Sequence, residues 1–216
     1  MEYPRYRTKI EQRTWPHKLM VMETILDLDE AIDQLCEVLP DHGDPFAEDL
    51  CPYYGVLWPA AEGLAQLVAE RASELKGKSL FEVGCGLAYP SLVARSLGHD
   101  VRASDFHDDV PNFLARNLRH NSLELPYEKL NWREAPGHER YDVVMGSDVL
   151  YEPKHPGDVA RSFCALLKEG GEVWLSDPGR AYLQKFVDEM TAAGFQHEMR
   201  PVGVGEYQIF VFRFWR

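Results

Sequence analysis

Two glycines and two acids carry the first chemical signal. Gly84 and Gly86 directly follow the apolar run SLFEV, and Asp105 ends the next apolar run, DVRASD, 19 residues beyond Gly86. Glycine after a strand lets backbone approach a ligand closely, because no Cβ intervenes. An acid at the end of the following strand can accept hydrogen bonds from both hydroxyls of a ribose. The full pattern is Glu82-x-Gly84-x-Gly86-x-Ala88. A dinucleotide fingerprint needs a small residue at the position of Tyr89, which is bulky and followed by Pro90. These residues describe a nucleotide pocket and weigh against a hydride carrier. A second cluster lies downstream in SDVLYEP, where Asp148 and Tyr151 follow the run YDVVMGS.

Such residues need a scaffold that brings strand ends together. From Pro59 onward, short apolar runs alternate with helical spacing. AAEGLAQLVAERASEL predicts an amphipathic helix and SLFEV a buried strand. PSLVARSLG predicts a helix with Pro90 early, where its missing N–H matters least. DVRASD reads as a strand, VPNFLARNLRHNS as a helix, EKLNW as a short strand and YDVVMGSDVLY as a strand running into a loop. GDVARSFCALLKEGG predicts a helix closed by glycine, EVWLSD a strand, RAYLQKFVDEMTAAGF a helix, and HEMRP and YQIFVFRFW the last two strands. This alternation predicts an α/β fold: a mainly parallel sheet with helices on both faces. Ligands of such sheets sit at the carboxyl ends of the strands, where the strand order reverses.

Residues 1–50 differ from the rest. TKIEQRTW and KLMVMETIL suggest a hairpin turning at Pro16-His17, and DLDEAIDQLCEVL a helix with Asp29 as its N-cap. The expected division is an N-terminal extension over 1–50 and a ligand-binding domain over 51–216.

Composition narrows the function classes. With 216 residues and 45% hydrophobic content, the chain can build one large domain with a real core. No apolar run reaches membrane-spanning length, and MEYPRYRTKIEQRTW lacks the apolar centre of an export signal, so a cytoplasmic location is expected. Cys36, Cys51, Cys85 and Cys164 are far apart with no His at ligand spacing, which predicts reduced thiols and no metal site. A net charge of −12 without a local basic cluster argues against nucleic acid as a partner and would suit a cationic substrate.

The Glu-x-Gly-x-Gly turn with Asp105 downstream resembles the first motifs of the class I, seven-β-strand methyltransferases, which bind S-adenosylmethionine. Ala88 stands where their third glycine is usual. That Rossmann-like fold ends in a helix and an antiparallel seventh strand, a role that YQIFVFRFW suits. Three further stretches are GVLWPAAEGLAQLV with Trp58, LNW at 130–132, and SDVLYEP. They resemble the protein lysine methyltransferases of methyltransferase family 16, whose members act on electron-transfer flavoprotein β-subunit, on chaperones and on calmodulin. The likeness covers about residues 50–180.

The resemblance implies a methyl-transferring enzyme that releases S-adenosylhomocysteine, with a protein lysine as acceptor. It places Glu82 at the methionine amino group, Gly84 and Gly86 against the ligand and Asp105 at the ribose. Trp58 and Trp132 would lie near the cofactor, Trp132 beside the adenine, and Ser147 belongs to the same set. Asn131 stands where many family members carry an acid proposed to meet the adenine amino group. Methyl transfer is an in-line displacement, so the protein mostly positions the reactants. Asp148 and Tyr151 would be the catalytic pair, Asp148 orienting the amine or holding its ammonium form, and Tyr151 walling the pocket with a cation–π attraction. The expected partner is a protein substrate, without nucleic acid or membrane, for a monomer or weak dimer.

Plainer roles compete with these. Trp58 can be a core aromatic, Asp148 a loop cap and Tyr151 packing. Arg180 in DPGR either binds a substrate carboxylate or is a surface turn residue. His107, His120, His138 and His155 are expected to be solvated. Two competing functions share the fold: a small-molecule N- or O-methyltransferase, and a module that holds S-adenosylmethionine without turnover. An amino-group nucleic-acid methyltransferase would show Asn/Asp-Pro-Pro-Tyr/Phe where SDVLYEP stands.

Overall fold

The computed structural model describes residues 5–15, 18–38, 50–134 and 140–216. The turn at Pro16-His17, the DHGDP stretch and His138 lie outside the described residues. Strands β1 (Thr8–Trp15) and β2 (Lys18–Ile25) form an antiparallel hairpin, followed by α1 (Leu28–Val38) and a single 3-10 turn, Pro52–Gly55. Then come α2 (Pro59–Glu70), β3 (Ser79–Val83), α3 (Tyr89–Ser96), β4 (Asp100–Asp105), α4 (Val110–Asn121) and β5 (Tyr127–Lys129). The chain continues through β6 (Tyr141–Ser147), α5 (His155–Leu166), β7 (Leu167–Asp177), α6 (Leu183–Ala192), β8 (Gln196–Val204) and β9 (Tyr207–Trp215).

The seven-stranded sheet has the order β5-β4-β3-β6-β7-β9-β8. All neighbours from β5 to β7 are parallel, and β9 runs antiparallel between β7 and β8. The chain moves outward from β3 to β5, then returns to place β6 beside β3. That reversal opens a crevice above the carboxyl ends of β3 and β6.

The central strands are apolar on both faces, because helices cover both. Leu80, Val143 and Trp174 join one core with Leu64 and Leu67 of α2, Leu92 of α3 and Phe113 of α4. Phe81, Val144 and Val173 face the other, with Phe163 of α5 and Phe186 of α6. Met20, Met22 and Ile25 of the hairpin belong to the first core, so the N-terminal extension shares the core of the rest. Among the described residues, no helix is long and apolar enough to cross a membrane, and no group of His, Cys, Asp and Glu could hold a metal ion.

Three local expectations need correction. The cap of α1 is Asp27, whose Oδ1 accepts the Glu30 N–H at 3.1 Å, rather than Asp29, which already lies inside the helix. Helix α5 ends at Leu166 without a glycine cap: Leu167 is extended, buried and paired with Tyr141, so LKEGG opens β7. Helical spacing there loses to burial of Leu167 in the second core. Strand β5 stops at Lys129, and LNW leads into a turn once the Leu130 N–H has bonded to the Asp105 carbonyl.

Candidate functional site

The turn after β3 is built by backbone in the left-handed region. Gly84 has φ 64°, Gly86 φ 49° and Ala88 φ 57°. The Cys85 N–H donates to the Ser104 carbonyl at 2.9 Å, tying the turn to β4, and the Ala88 N–H closes it on the Cys85 carbonyl at 2.6 Å. A Cβ at Gly84 would lie 2.8 Å from both Trp132 and Val149, so the missing side chain lets two distant segments close over the strand end. At Gly86 a Cβ would lie 3.1 Å from the Tyr54 carbonyl oxygen. A branched side chain there would meet the wall of the 3-10 turn as well as any ligand.

Helix α3 starts without a cap of its own, since Ala88 has no side-chain oxygen and Pro90 no N–H. Glu82 supplies the missing acceptor. Its Oε2 accepts the Ser91 N–H at 3.0 Å and also the Ser91 hydroxyl. The Glu82 carboxyl is fully buried beneath α3, is absent from the residues that line the crevice, and leaves its Oε1 without a hydrogen-bond partner. Burial pushes its pKa up to about 8, against the two Ser91 hydrogen bonds that lower it.

Asp105, at the end of β4, does face the crevice. Its Oδ2 accepts the Gly86 N–H at 2.8 Å and its Oδ1 the His107 N–H at 3.0 Å. Each carboxylate oxygen has a further lone pair for a ribose hydroxyl. Burial raises the Asp105 pKa above the ordinary carboxylate range, while those two N–H groups oppose the rise. His107 is buried, not solvated; its Nδ1 accepts the Asp109 N–H and its ring lies 4.1 Å from that of Tyr54. Asn131 faces the crevice with its amide engaged in the turn: Oδ1 accepts the Arg133 N–H and Nδ2 donates to Glu134.

The opposite wall joins residues far apart in sequence. Ser147 ends β6 and Asp148 follows it, again with left-handed backbone, φ 58°. The Asp148 side chain is 7% exposed and its Oδ1 accepts Arg180 Nε at 2.6 Å. The buried Asp177 accepts both the Gly179 and the Arg180 N–H at 2.7 Å, fixing the loop that carries this guanidinium. Burial opposes the charge on Arg180, and the hydrogen bond to Asp148 together with the negative charges of Asp148 and Asp177 more than offsets it, so Arg180 titrates above its ordinary value. Arg180 is thus neither a simple surface turn residue nor part of the crevice lining; it stands behind Asp148.

Aromatic rings complete this wall. Tyr53 stands edge-on to Trp58 at 6.2 Å and to Tyr151 at 6.3 Å, and Trp58 Nε1 donates to the Tyr53 carbonyl at 2.9 Å. The hydrogen bond with Cys51 and then burial push the Tyr53 phenol up to about 12, so it stays neutral. His155 is fully buried between Tyr151 at 4.4 Å and Trp132 at 5.1 Å, contrary to its expected solvation. His120 is the partly exposed one, against Glu23.

The crevice encloses about 910 Å³ of empty space when its open mouth is included. A family model described as a methyltransferase domain matches residues 59–202. The chain belongs to that methyltransferase family. Calmodulin-lysine N-methyltransferase of Arabidopsis thaliana is 28% identical over 153 residues, 65% of this chain and 50% of that protein. Histone-arginine methyltransferase METTL23 of Xenopus laevis is 32% identical over 117 residues, half of each chain. Ubiquinone biosynthesis O-methyltransferase of Shewanella pealeana is 26% identical over 147 residues, 67% of this chain and 61% of that protein. The chain therefore spans about half the length of the first two curated relatives. Among solved structures, magnesium protoporphyrin IX methyltransferase from Synechocystis with bound S-adenosylmethionine superposes with a TM-score of 0.60 at 17% identity, covering 73% of this chain and 80% of that one. Ribosomal protein L11 methylase from Lactobacillus delbrueckii gives 0.57 at 22% identity, covering 70% and 77%. These likenesses show the fold.

S-adenosylmethionine is the cofactor of this methyltransferase family, and the residues present suit it. Asp105 offers buried acceptors for ribose hydroxyls, and Trp132 and Phe106 offer apolar surface for a base. Of the residues assigned from the sequence to cofactor or acceptor, all except Glu82 line this one crevice: Trp58, Gly84, Gly86, Asp105, Trp132, Ser147, Asp148 and Tyr151. Tyr53, Tyr54 and His107 also line it, and His155 stands behind two of its rings. Only CPYYG hinted at the first two, as an aromatic pair before Trp58.

Proposed function

We propose that this methyltransferase transfers the methyl group of S-adenosylmethionine to an amine, the side chain of a lysine in a protein. One arrangement carries the reading: a carboxylate, Asp148, held by Arg180 on a crevice wall otherwise made of the Tyr53, Trp58 and Tyr151 rings. The bound cofactor supplies a methyl carbon on a cationic sulfur. A lysine arrives as an ammonium and must release a proton before its nitrogen can attack. Asp148 attracts the ammonium and then accepts a hydrogen bond that aims the nitrogen. The rings attract the cation by their π faces and strip water from it, which lowers the amine pKa. The acidic chain as a whole favours approach of a cationic segment. Two of the relatives are named for lysine and arginine side chains, both cationic.

The test is transfer of radiolabelled methyl from S-adenosylmethionine into a lysate from a strain lacking this protein, with mass spectrometry of the labelled species. Label on a lysine of a protein is expected. Label in a small metabolite would reject the lysine acceptor and favour the chemistry named for the Shewanella relative. Binding of the cofactor with no labelled product in any fraction would favour a module without turnover.

A further inference from the structure

We propose that the N-terminal hairpin is a working part of the cofactor site: Ile25 of β2, seated in the gap left by Gly55, sets the position of the Tyr53–Trp58 segment that walls the crevice. The inference rests on the cofactor reading of that crevice. Gly55 is not among the glycines with positive φ, so its backbone does not require glycine. Its neighbours do. A Cβ at Gly55 would land 2.6 Å from Ile25 Cγ1 and closer still to Cδ1. The preceding residue, Tyr54, carries the contact onward. Its carbonyl and Cα sit 3.1 and 3.4 Å from where a Gly86 Cβ would be, and its hydroxyl donates to Asp109 at 2.7 Å. Packed contacts therefore run from Ile25 through Gly55 and Tyr54 to the nucleotide turn.

The hairpin is fixed well enough to act as a reference. Asn121 of α4 accepts the Val21 N–H at 2.9 Å and donates to the Val21 carbonyl at 2.7 Å. Asn117 does the same for Glu23, at 2.6 and 3.2 Å. Two amides one helical turn apart rise about 6 Å, close to the roughly 6.8 Å between alternate strand residues. They read β2 as a neighbouring strand would, and a slip of one residue would lose all four bonds. On the other side, Arg13 of β1 bonds Glu62 of α2 at 2.8 Å, next to Ala61 in the crevice wall. The hairpin is thus pinned to α4 and α2, and Ile25 is a point of contact with the wall.

A double-mutant cycle at Gly55 and Ile25 tests this, read by calorimetric affinity for S-adenosylhomocysteine with melting temperature measured beside it. Gly55→Ala should weaken binding at least tenfold by pushing the segment off Ile25. Ile25→Ala should weaken it about threefold by loosening the same joint. The double variant should bind better than Gly55→Ala while melting lower than wild type, because the new methyl occupies the space vacated by the isoleucine. Gly203→Ala, where a Cβ meets nothing within 4 Å, is the control and should bind as wild type does. The proposal is overturned if folded Gly55→Ala binds normally, or if the two losses simply multiply in the double variant. Should Gly55→Ala fail to fold, Ile25→Ala decides alone: wild-type affinity overturns the proposal. A wild-type chain that does not bind S-adenosylhomocysteine would instead reject the cofactor reading on which the joint depends.

Discussion

Ala88 and Asp148 share a backbone and differ in everything else. Both follow parallel strands that lie side by side, and both adopt the left-handed region, at φ 57° and 58°. Alanine there costs about 1–2 kcal/mol because its Cβ crowds the backbone, whereas aspartate reaches the region more readily. The Ala88 methyl is fully buried and offers the ligand nothing; the position needs only the turn. Asp148 lines the crevice and carries a carboxylate that Arg180 holds. The same strain is thus incidental at one strand end and, in the proposed function, tied to the chemistry at the other. The nucleotide half of the site is shaped by backbone, and the acceptor half by side chains.

The largest expected effect separates the two halves. Asp148→Asn keeps a side chain that tolerates left-handed backbone while removing the charge, a cleaner probe than alanine. Methyl transfer should fall by roughly a hundredfold or more, with S-adenosylhomocysteine affinity within about threefold of wild type. Single-turnover kinetics beside calorimetry reads both, and transfer at the wild-type rate would remove Asp148 from the acceptor site.

On the nucleotide side, Asp105→Ala should do the reverse and damage binding. Loss of charge-assisted hydrogen bonds costs on the order of 1.5–3 kcal/mol, or about ten- to a hundredfold in affinity. Calorimetry with S-adenosylhomocysteine measures it. Unchanged affinity would assign the ribose to another acid, with Asp109 and Asp108 next in line.

Glu82 sharpens the contrast through pH. Burial holds its folded pKa at about 8, against an ordinary value of 4.5 in the unfolded chain. Between those values the folded state keeps a proton that the unfolded chain releases. Its contribution to stability is therefore fully present below about pH 4.5, is lost as pH rises toward about 8, and changes little beyond. Glu82→Gln can still accept the Ser91 N–H but cannot titrate. Its melting temperature relative to wild type should climb across pH 5 to 8. A difference that stays constant with pH would show that Glu82 ionises normally in its buried place.

The smallest effect is Ala88→Gly. Relief of left-handed strain outweighs the greater freedom of glycine in the unfolded chain, giving up to about 1 kcal/mol of added stability with unchanged cofactor affinity. Denaturant melts detect a change of that size. Asp148→Gly relieves the same strain but strips Arg180 of its buried partner, so it should lower stability and abolish transfer, and a matching loss of activity in Ala88→Gly would break the distinction between the two turns.

What the sequence determined by itself is local. Period-two and helical spacing marked the alternating elements, and the run from SLFEV to DVRASD placed Gly84 and Gly86 in the turn after β3 and Asp105 at the end of β4. Backbone conformation and strand ends are written in consecutive residues, so the place of these residues beside the crevice was legible. The ends of α1, α5 and β5 were less so, since capping geometry and the burial of Leu167 decide them. Tertiary structure alone decided the rest. It turned Glu82 away from the crevice and under α3, set Arg180 behind Asp148, buried His107 and His155, and brought Tyr53 against Tyr151. It also seated a hairpin isoleucine in the gap of Gly55. Those partners meet because helices and strands pack at fixed distances on a sheet that reverses its order, and no spacing along the chain encodes which distant side chains that packing will bring together.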